Sequence, residues 1–227
     1  MQFRCNYHSV MTTTLDNLDV PQHLAMTGVS WSYYEHTLEQ IGDRPIRVTF
    51  LDGKIEIMSP LPEHETLKKA LARLVENLTL EIGWSHKSFG STTFRREEKS
   101  AGTEPDECYY FHNIDAVTGM KRFDPIVHPP PDLAIEVDIL NPSIPREPIY
   151  ARLGVPEIWR CNGERLQVRL LLSDGTYSDS PTSQAFPFLP MVRFATFIKR
   201  MIAGDETPVL REFRDWVRTL PIPGGLS

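Results

Sequence analysis

The sequence predicts an α/β fold in which a mixed β-sheet is flanked by helices, with a β-hairpin near the N-terminus. Three observations carry that reading: a helical apolar stripe from Leu67 to Ile82, a hairpin signature at Asp52-Gly53, and short β-branched runs separated by turn residues. They occur in the order helix, hairpin, long helix, strands, short helix, strands, helices, with no internal repeat or low-complexity block.

The first helix is expected just after Ser30, where Tyr34, Leu38 and Ile41 recur at helical spacing and Gly42 can end the run. IRVTFLDGKIEIMSP then places two β-branched stretches around Asp52-Gly53, the strongest short-range hairpin signal in the chain. A Pro-rich turn leads into a helix of about four turns. Its apolar stripe is Leu67, Ala70, Leu71, Leu74, Leu78 and Ile82, and its opposite face is Lys, Arg and Glu.

Segment 85–98 has the content of a strand, KSAGTEP reads as a loop, and DECYYF returns to strand. The stretch 132–138, DLAIEVD, is short, follows three prolines and carries a charge in its middle, as a central strand delivering a carboxylate into a cleft would. A short helix is expected from Ser143 to Gly154, with Pro145 and Pro148 near its start. Glu157–Cys161 and Arg165–Leu172 flank Asn162-Gly163 as a second hairpin, and Asp174-Gly175 marks a third turn. Two helices, Val192 to about Met201 and Leu210–Leu220, precede a disordered PIPGGLS tail.

A length of 227 residues suits one substantial domain with extensions, and 41% hydrophobic with 24% charged residues is the balance of a globular protein. No apolar run approaches the roughly 20 residues of a membrane span, so no membrane partner is expected. The first residues lack an apolar signal region, which points to the cytoplasm. Met11 opens a polar segment that also suits a true start. Cys5, Cys108 and Cys161 are odd in number and widely spaced, so they read as free thiols. The formal charge of −6 argues against a DNA-coating role and leaves room for an enzyme with a local basic groove.

Hydrolysis of a phosphodiester needs a polarised phosphorus, an activated water and a stabilised leaving oxygen, all of which oxygen-ligated divalent metals supply. Magnesium usually takes one or two protein carboxylates. Glu104-Pro105-Asp106 and the strand bearing Glu136 and Asp138 offer them on neighbouring segments. Strand alternation puts Asp132, Ala134, Glu136 and Asp138 on one face, and three acids there are costly to bury without a cation or hydrogen bonds. The alternative is an exposed edge strand with its carboxylates in water. Ser91, Thr92, Thr93, Arg95 and Arg96 are candidates for phosphate contact or for a polar edge strand. Tyr109, Tyr110 and Trp159 are candidates for base stacking, or for core packing.

GTEPDECYYF, PPPDLAIEVDI and IYARLGVPEIWR together resemble the Uma-two family, a branch of the PD-(D/E)XK nuclease superfamily. The similarity runs from about Asp16 to Met201. It implies a restriction-endonuclease-like core over residues 16–203, a flexible leader over 1–15, and a helical extension and tail over 204–227. It also implies that Pro105-Asp106 is the PD element and Glu136 the acidic member of (D/E)XK.

Asp138 stands where the superfamily has a lysine, and the lysine that many family members carry on the following helix corresponds to Arg146. Arginine is a poor proton acceptor yet can orient water or stabilise phosphorane-like charge. Glu56 and His64 lie in segments resembling the family's N-terminal motif, and Glu104 is either a third metal-side carboxylate or a loop residue. The implied activity is Mg²⁺- or Mn²⁺-dependent DNA cleavage, with a homodimer cutting both strands. A nuclease fold kept as a nucleic-acid or protein interaction module is the competing expectation, and a hydrolase of small phosphoesters stands behind both.

Overall fold

A computed structural model describes residues 23–121, 123–124, 126–139 and 142–222. The expected leader, Cys5, the second start at Met11 and the end of the tail lie outside them. Strand β1 (His23–Thr27) leads to helix α1 (Trp31–Ile41), where the Ser30 hydroxyl accepts the Tyr33 amide. Strands β2 (Arg47–Leu51) and β3 (Lys54–Met58) pair with Leu51 opposite Lys54, leaving a two-residue turn. Asp52 and Gly53 both have positive φ, 47° and 76°, which twists the turn to match the strands.

Helix α2 (Pro62–Ile82) is longer than the four turns expected. Pro62 fits its first turn, where no amide partner is needed, and Glu63 and Glu65 favour the positive end of the helix dipole. Left-handed Gly83 ends it.

Segment 85–98 is not one strand. It supplies β4 (Lys87–Ser88) and β5 (Phe94–Arg96), which join different sheets, with Gly90 at positive φ between them. The expected loop that follows contains strand β6 (Ala101–Thr103). Pairing on both sides, with β2 and β5, holds this Gly-containing stretch extended.

Then come β7 (Glu107–Tyr110), the single turn α3 (Ile114–Val117), and β8 (Leu133–Val137). Helix α4 (Glu147–Leu153) begins four residues later than expected. Ile144 precedes Pro145 and is pushed away from helical geometry, whereas Pro148 is tolerated in the first turn. Strands β9 (Glu157–Cys161), β10 (Leu166–Leu171) and β11 (Tyr177–Ser180) form the later hairpins. Helices α5 (Met191–Ala203) and α6 (Glu206–Val217) differ from the expected spans, chiefly because Asp205 caps α6 through the Thr207 amide, starting it early.

The strands form two sheets. One is antiparallel, in the order β1-β3-β2-β6-β5; the other runs β11-β10-β9-β8-β7-β4 and is mixed, because β8 and β9 are parallel across the α4 connection. β8 is thus central and buried along its whole length, which rules out the edge-strand alternative. Leu133, Ile135 and Val137 pack with α2, α5 and α6, while Ala134 packs on the opposite side with Ile149, Tyr150 and Leu153 of α4. Alternation therefore aims Glu136 towards α4. Val48, Phe50 and Ile55 of the first sheet cover Tyr34 of α1. Cys108 and Cys161 are free and buried. No described helix is long and apolar enough to cross a membrane.

Candidate active site

Asp106 lies in the turn entering β7 and is fully buried. Its amide donates to Ile135 O (3.0 Å), and its Oδ2 accepts the Val137 amide (2.5 Å), so two backbone bonds to β8 fix the carboxylate. Its Oδ1 has an ion pair with the Arg47 guanidinium and lies 3.1 Å from His64 Nε2. Neither group reaches it in hydrogen-bond alignment. Glu136 is also buried, and the Tyr150 hydroxyl donates to its Oε1. Burial pushes the Glu136 carboxyl above the usual range, against the opposing pull of Arg146. Burial and the Glu136 carboxylate likewise hold Tyr150 firmly protonated.

Asp106, Glu136 and Arg146 line one cavity of about 30 Å³, shared with Arg47, His64 and Glu104. That volume takes a water or an ion, not a nucleotide. Arg146 sits at the start of α4, one helical turn before Tyr150, so the pair project on the same side. Its Nη2 is 2.7 Å from Glu56 Oε2, and its buried Nη1 has no hydrogen-bond partner among the described residues. Leaving such a donor unmet costs about 1–3 kcal/mol, so it marks a place for a ligand or water.

Glu56 does not line the cavity. It is buried in β3, where its Oε1 accepts the Ser143 amide (2.6 Å) and meets His23 Nε2 (2.7 Å), and it acts as the anchor of Arg146. His64, in the first turn of α2, has its pKa lowered to about 4 by burial and then by Arg47. It is therefore neutral near pH 7, with Nε2 facing Asp106. Asp138 borders the cavity but pairs with Arg160, whose Nη2 and Nε are 2.6 and 2.7 Å from Oδ2. Asp132 is spent on the Phe111 and His112 amides. Of the three acids that share this face in sequence, Glu136 and Asp138 border the cavity and Asp132 is drawn away from it.

Glu104 accepts the Thr93 hydroxyl (2.9 Å) and has its pKa raised by burial. Among the described residues no three His, Cys, Asp or Glu side chains converge as a ready metal cluster, so Glu104 does not complete one with Asp106 and Glu136.

The cavity opens beside a wide cleft of about 1120 Å³. Arg47, Pro60, Leu61 and Glu104 line both. Arg95 lines the cleft with Ser91, Thr92 and Thr93, whereas Arg96, its neighbour on β5, is not among the lining residues. Tyr109, Tyr110 and Trp159 are fully buried, so of the two alternatives core packing holds: Trp159 donates to Glu157 and Tyr110 to Pro129 O inside the core. Sequence reasoning passed over Arg47 and Tyr150. Tyr150 carried a signal, standing one turn beyond Arg146, whereas Arg47 at the start of an apolar hairpin strand carried none that pointed to its partner.

A solved structure described as "a putative nuclease belonging to DUF820" from Anabaena variabilis is similar at 15% identity and a TM-score of 0.44, covering 74% of this chain and 98% of that one. No curated protein matches the chain. The Uma2 family, described as "Putative restriction endonuclease", matches residues 31–195. Since that match takes in most of the described chain, including both carboxylate strands and the cleft, the protein belongs to the Uma2 family.

Proposed function

We propose that the protein is a divalent-metal-dependent endonuclease that hydrolyses DNA phosphodiester bonds. The observation that carries this reading is the single buried cavity bordered by Asp106, Glu136 and Arg146, in which Asp106 Oδ1 and Arg146 Nη1 lack hydrogen-bond partners among the described residues. Asp106 and Glu136 would hold Mg²⁺ or Mn²⁺. The donor set fits, since each carboxylate keeps one oxygen clear of backbone or tyrosine bonds, and Mg²⁺ commonly takes two carboxylates and fills its shell with water. The charges fit too. Asp106, Glu136, Glu104 and Glu56 face only Arg47 and Arg146 as cations, an excess of two negative charges when all are ionised.

When bound, such an ion supplies Lewis-acid polarisation of the phosphate and a more acidic water. The chain's own groups do the rest. Val137 N–H and the Tyr150 hydroxyl hold the two carboxylates in fixed orientation, and Glu56 holds Arg146. Arg146 stabilises charge on the phosphate oxygens through its open Nη1. Glu104, a half-buried acid with a raised pKa between cavity and cleft, is suited to accept a proton from the attacking water. As a homodimer in the cytoplasm, two such sites would cut both strands of a duplex.

The cavity lining contains no lysine, and Arg47 already neutralises Asp106. Those observations favour a second reading, a catalytically silent module that binds nucleic acid or protein. Incubating the purified chain with plasmid and Mg²⁺ or Mn²⁺ decides between them. Nicking that drops at least ~100-fold in Asp106→Asn and Glu136→Gln supports the nuclease. Equal nicking by the variants, or DNA binding without cleavage under any divalent ion, overturns it.

A further inference from the structure

Arg47 lies at the boundary between the carboxylate cavity and the wide cleft and lines both. Its guanidinium has two acidic neighbours of opposite character. Towards the interior it pairs with Asp106, which is buried; towards the cleft its Nη2 lies 3.8 Å from Glu65 Oε1, which is half-buried in the first turn of α2. The Asp106 oxygen it faces, Oδ1, is the one left over after Val137 N–H takes Oδ2. That oxygen is also the one a divalent ion needs.

A guanidinium and a divalent cation cannot both occupy it without strong like-charge repulsion. The cleft beyond Arg47 carries the further cations Arg44, Lys68, Arg95 and Lys121 interleaved with the acids Glu39, Asp43, Glu65 and Glu104, and Lys68 Nζ donates to the Ser91 hydroxyl at 3.0 Å. The cationic side chains suit a phosphodiester strand lying in the cleft and ending at the cavity.

From this geometry we infer that Arg47 is a counter-cation exchanged between two sites, holding Asp106 in the metal-free protein and moving to a strand phosphate at the cleft when a divalent ion takes Asp106. This rests on the nuclease reading above. Metal and strand then help each other bind, because each favours the outward position of the same guanidinium. In the metal-free protein Arg47 keeps a buried carboxylate neutralised, which accounts for an ion pair where an open ligand was expected.

Mn²⁺ titrated calorimetrically into the full chain, alone and with a phosphorothioate DNA oligonucleotide, tests the inference. Arg47→Met should bind Mn²⁺ alone about 10-fold more tightly than wild type, and the mutual enhancement between Mn²⁺ and oligonucleotide should fall to about unity. Glu65→Gln, a near-isosteric change at a half-buried position, removes the outward anchor and should weaken Mn²⁺ binding several-fold, so the test stands even where Arg47→Met does not fold. Arg47→Met binding Mn²⁺ no more tightly, or Glu65→Gln leaving Mn²⁺ affinity unchanged or higher, overturns the inference while the metal site stands. Wild type and Asp106→Asn binding Mn²⁺ alike removes the nuclease reading itself, and the exchange with it.

Discussion

A buried carboxylate persists only where its partners repay desolvation, and Asp106 has three: the Val137 amide, Arg47 and His64. Replacing it with Ala strips Arg47 of its interior partner and should destabilise the fold by about 3–5 kcal/mol in urea unfolding. Asp106→Asn keeps an acceptor for Val137 and should cost less than half as much. Equal losses would show that the charge, and not the acceptor for Val137, carries the residue's contribution to the fold. His64 gives a second residue-scale test. Its folded pKa of about 4 lies below the ordinary value near 6.5, so between those pH values the unfolded chain binds more protons. The contribution is kept above pH 6.5 and lost as pH falls through 4. An NMR titration of the His64 ring should find a midpoint near 4, and one near 6.5 would contradict its burial beside Arg47. At this scale Asp106 and Glu136 were legible as cavity residues from strand alternation and motif wording, and Arg146 from the family resemblance alone. Arg47 was not, since an arginine opening a strand gives no sign of which distant carboxylate it will meet.

Elements held together by local signals could be read directly. The Asp52-Gly53 turn needs positive φ at both positions, and the α2 stripe needs only its own period. β6 could not be read this way. Ala101-Gly102-Thr103 lacks strand character, and what keeps it extended is pairing with β2, with Phe50 opposite Gly102. Gly102 is required for a different reason: a Cβ there would overlap the buried Tyr34 ring. Gly102→Ala should therefore destabilise by about 1–3 kcal/mol in thermal unfolding, as overpacking does. A neutral substitution would mean that α1 sits less tightly on the first sheet. The split of segment 85–98 was hidden for the same reason as β6, because sheet membership depends on partners far along the chain.

Across the whole molecule, the site occupies the seam between the two sheets. The first sheet brings Arg47 and Glu56, with Glu104 just after β6; the second brings Glu136, Arg146 stands at the start of α4, and the turn at Asp106 lies between them. Composition gave no hint of this partition, and a net charge of −6 did not show that Arg44, Arg47, Lys68, Arg95 and Lys121 gather along one cleft among its acids. Because the ion would bind the assembled seam and not the unfolded chain, Mn²⁺ at 100 times its Kd should add about 2.7 kcal/mol of stability, which for a chain this size raises Tm by roughly 5–10 °C. Scanning calorimetry with and without Mn²⁺ checks this, and an unchanged Tm would mean no site specific to the folded state.

The most direct measurement is an anomalous difference map from crystals soaked in Mn²⁺. The account predicts a peak within about 2.0–2.3 Å of Asp106 Oδ1 and a Glu136 oxygen, with Arg47 turned towards Glu65. No peak at that position, with Arg47 still on Asp106 at saturating Mn²⁺, would contradict it.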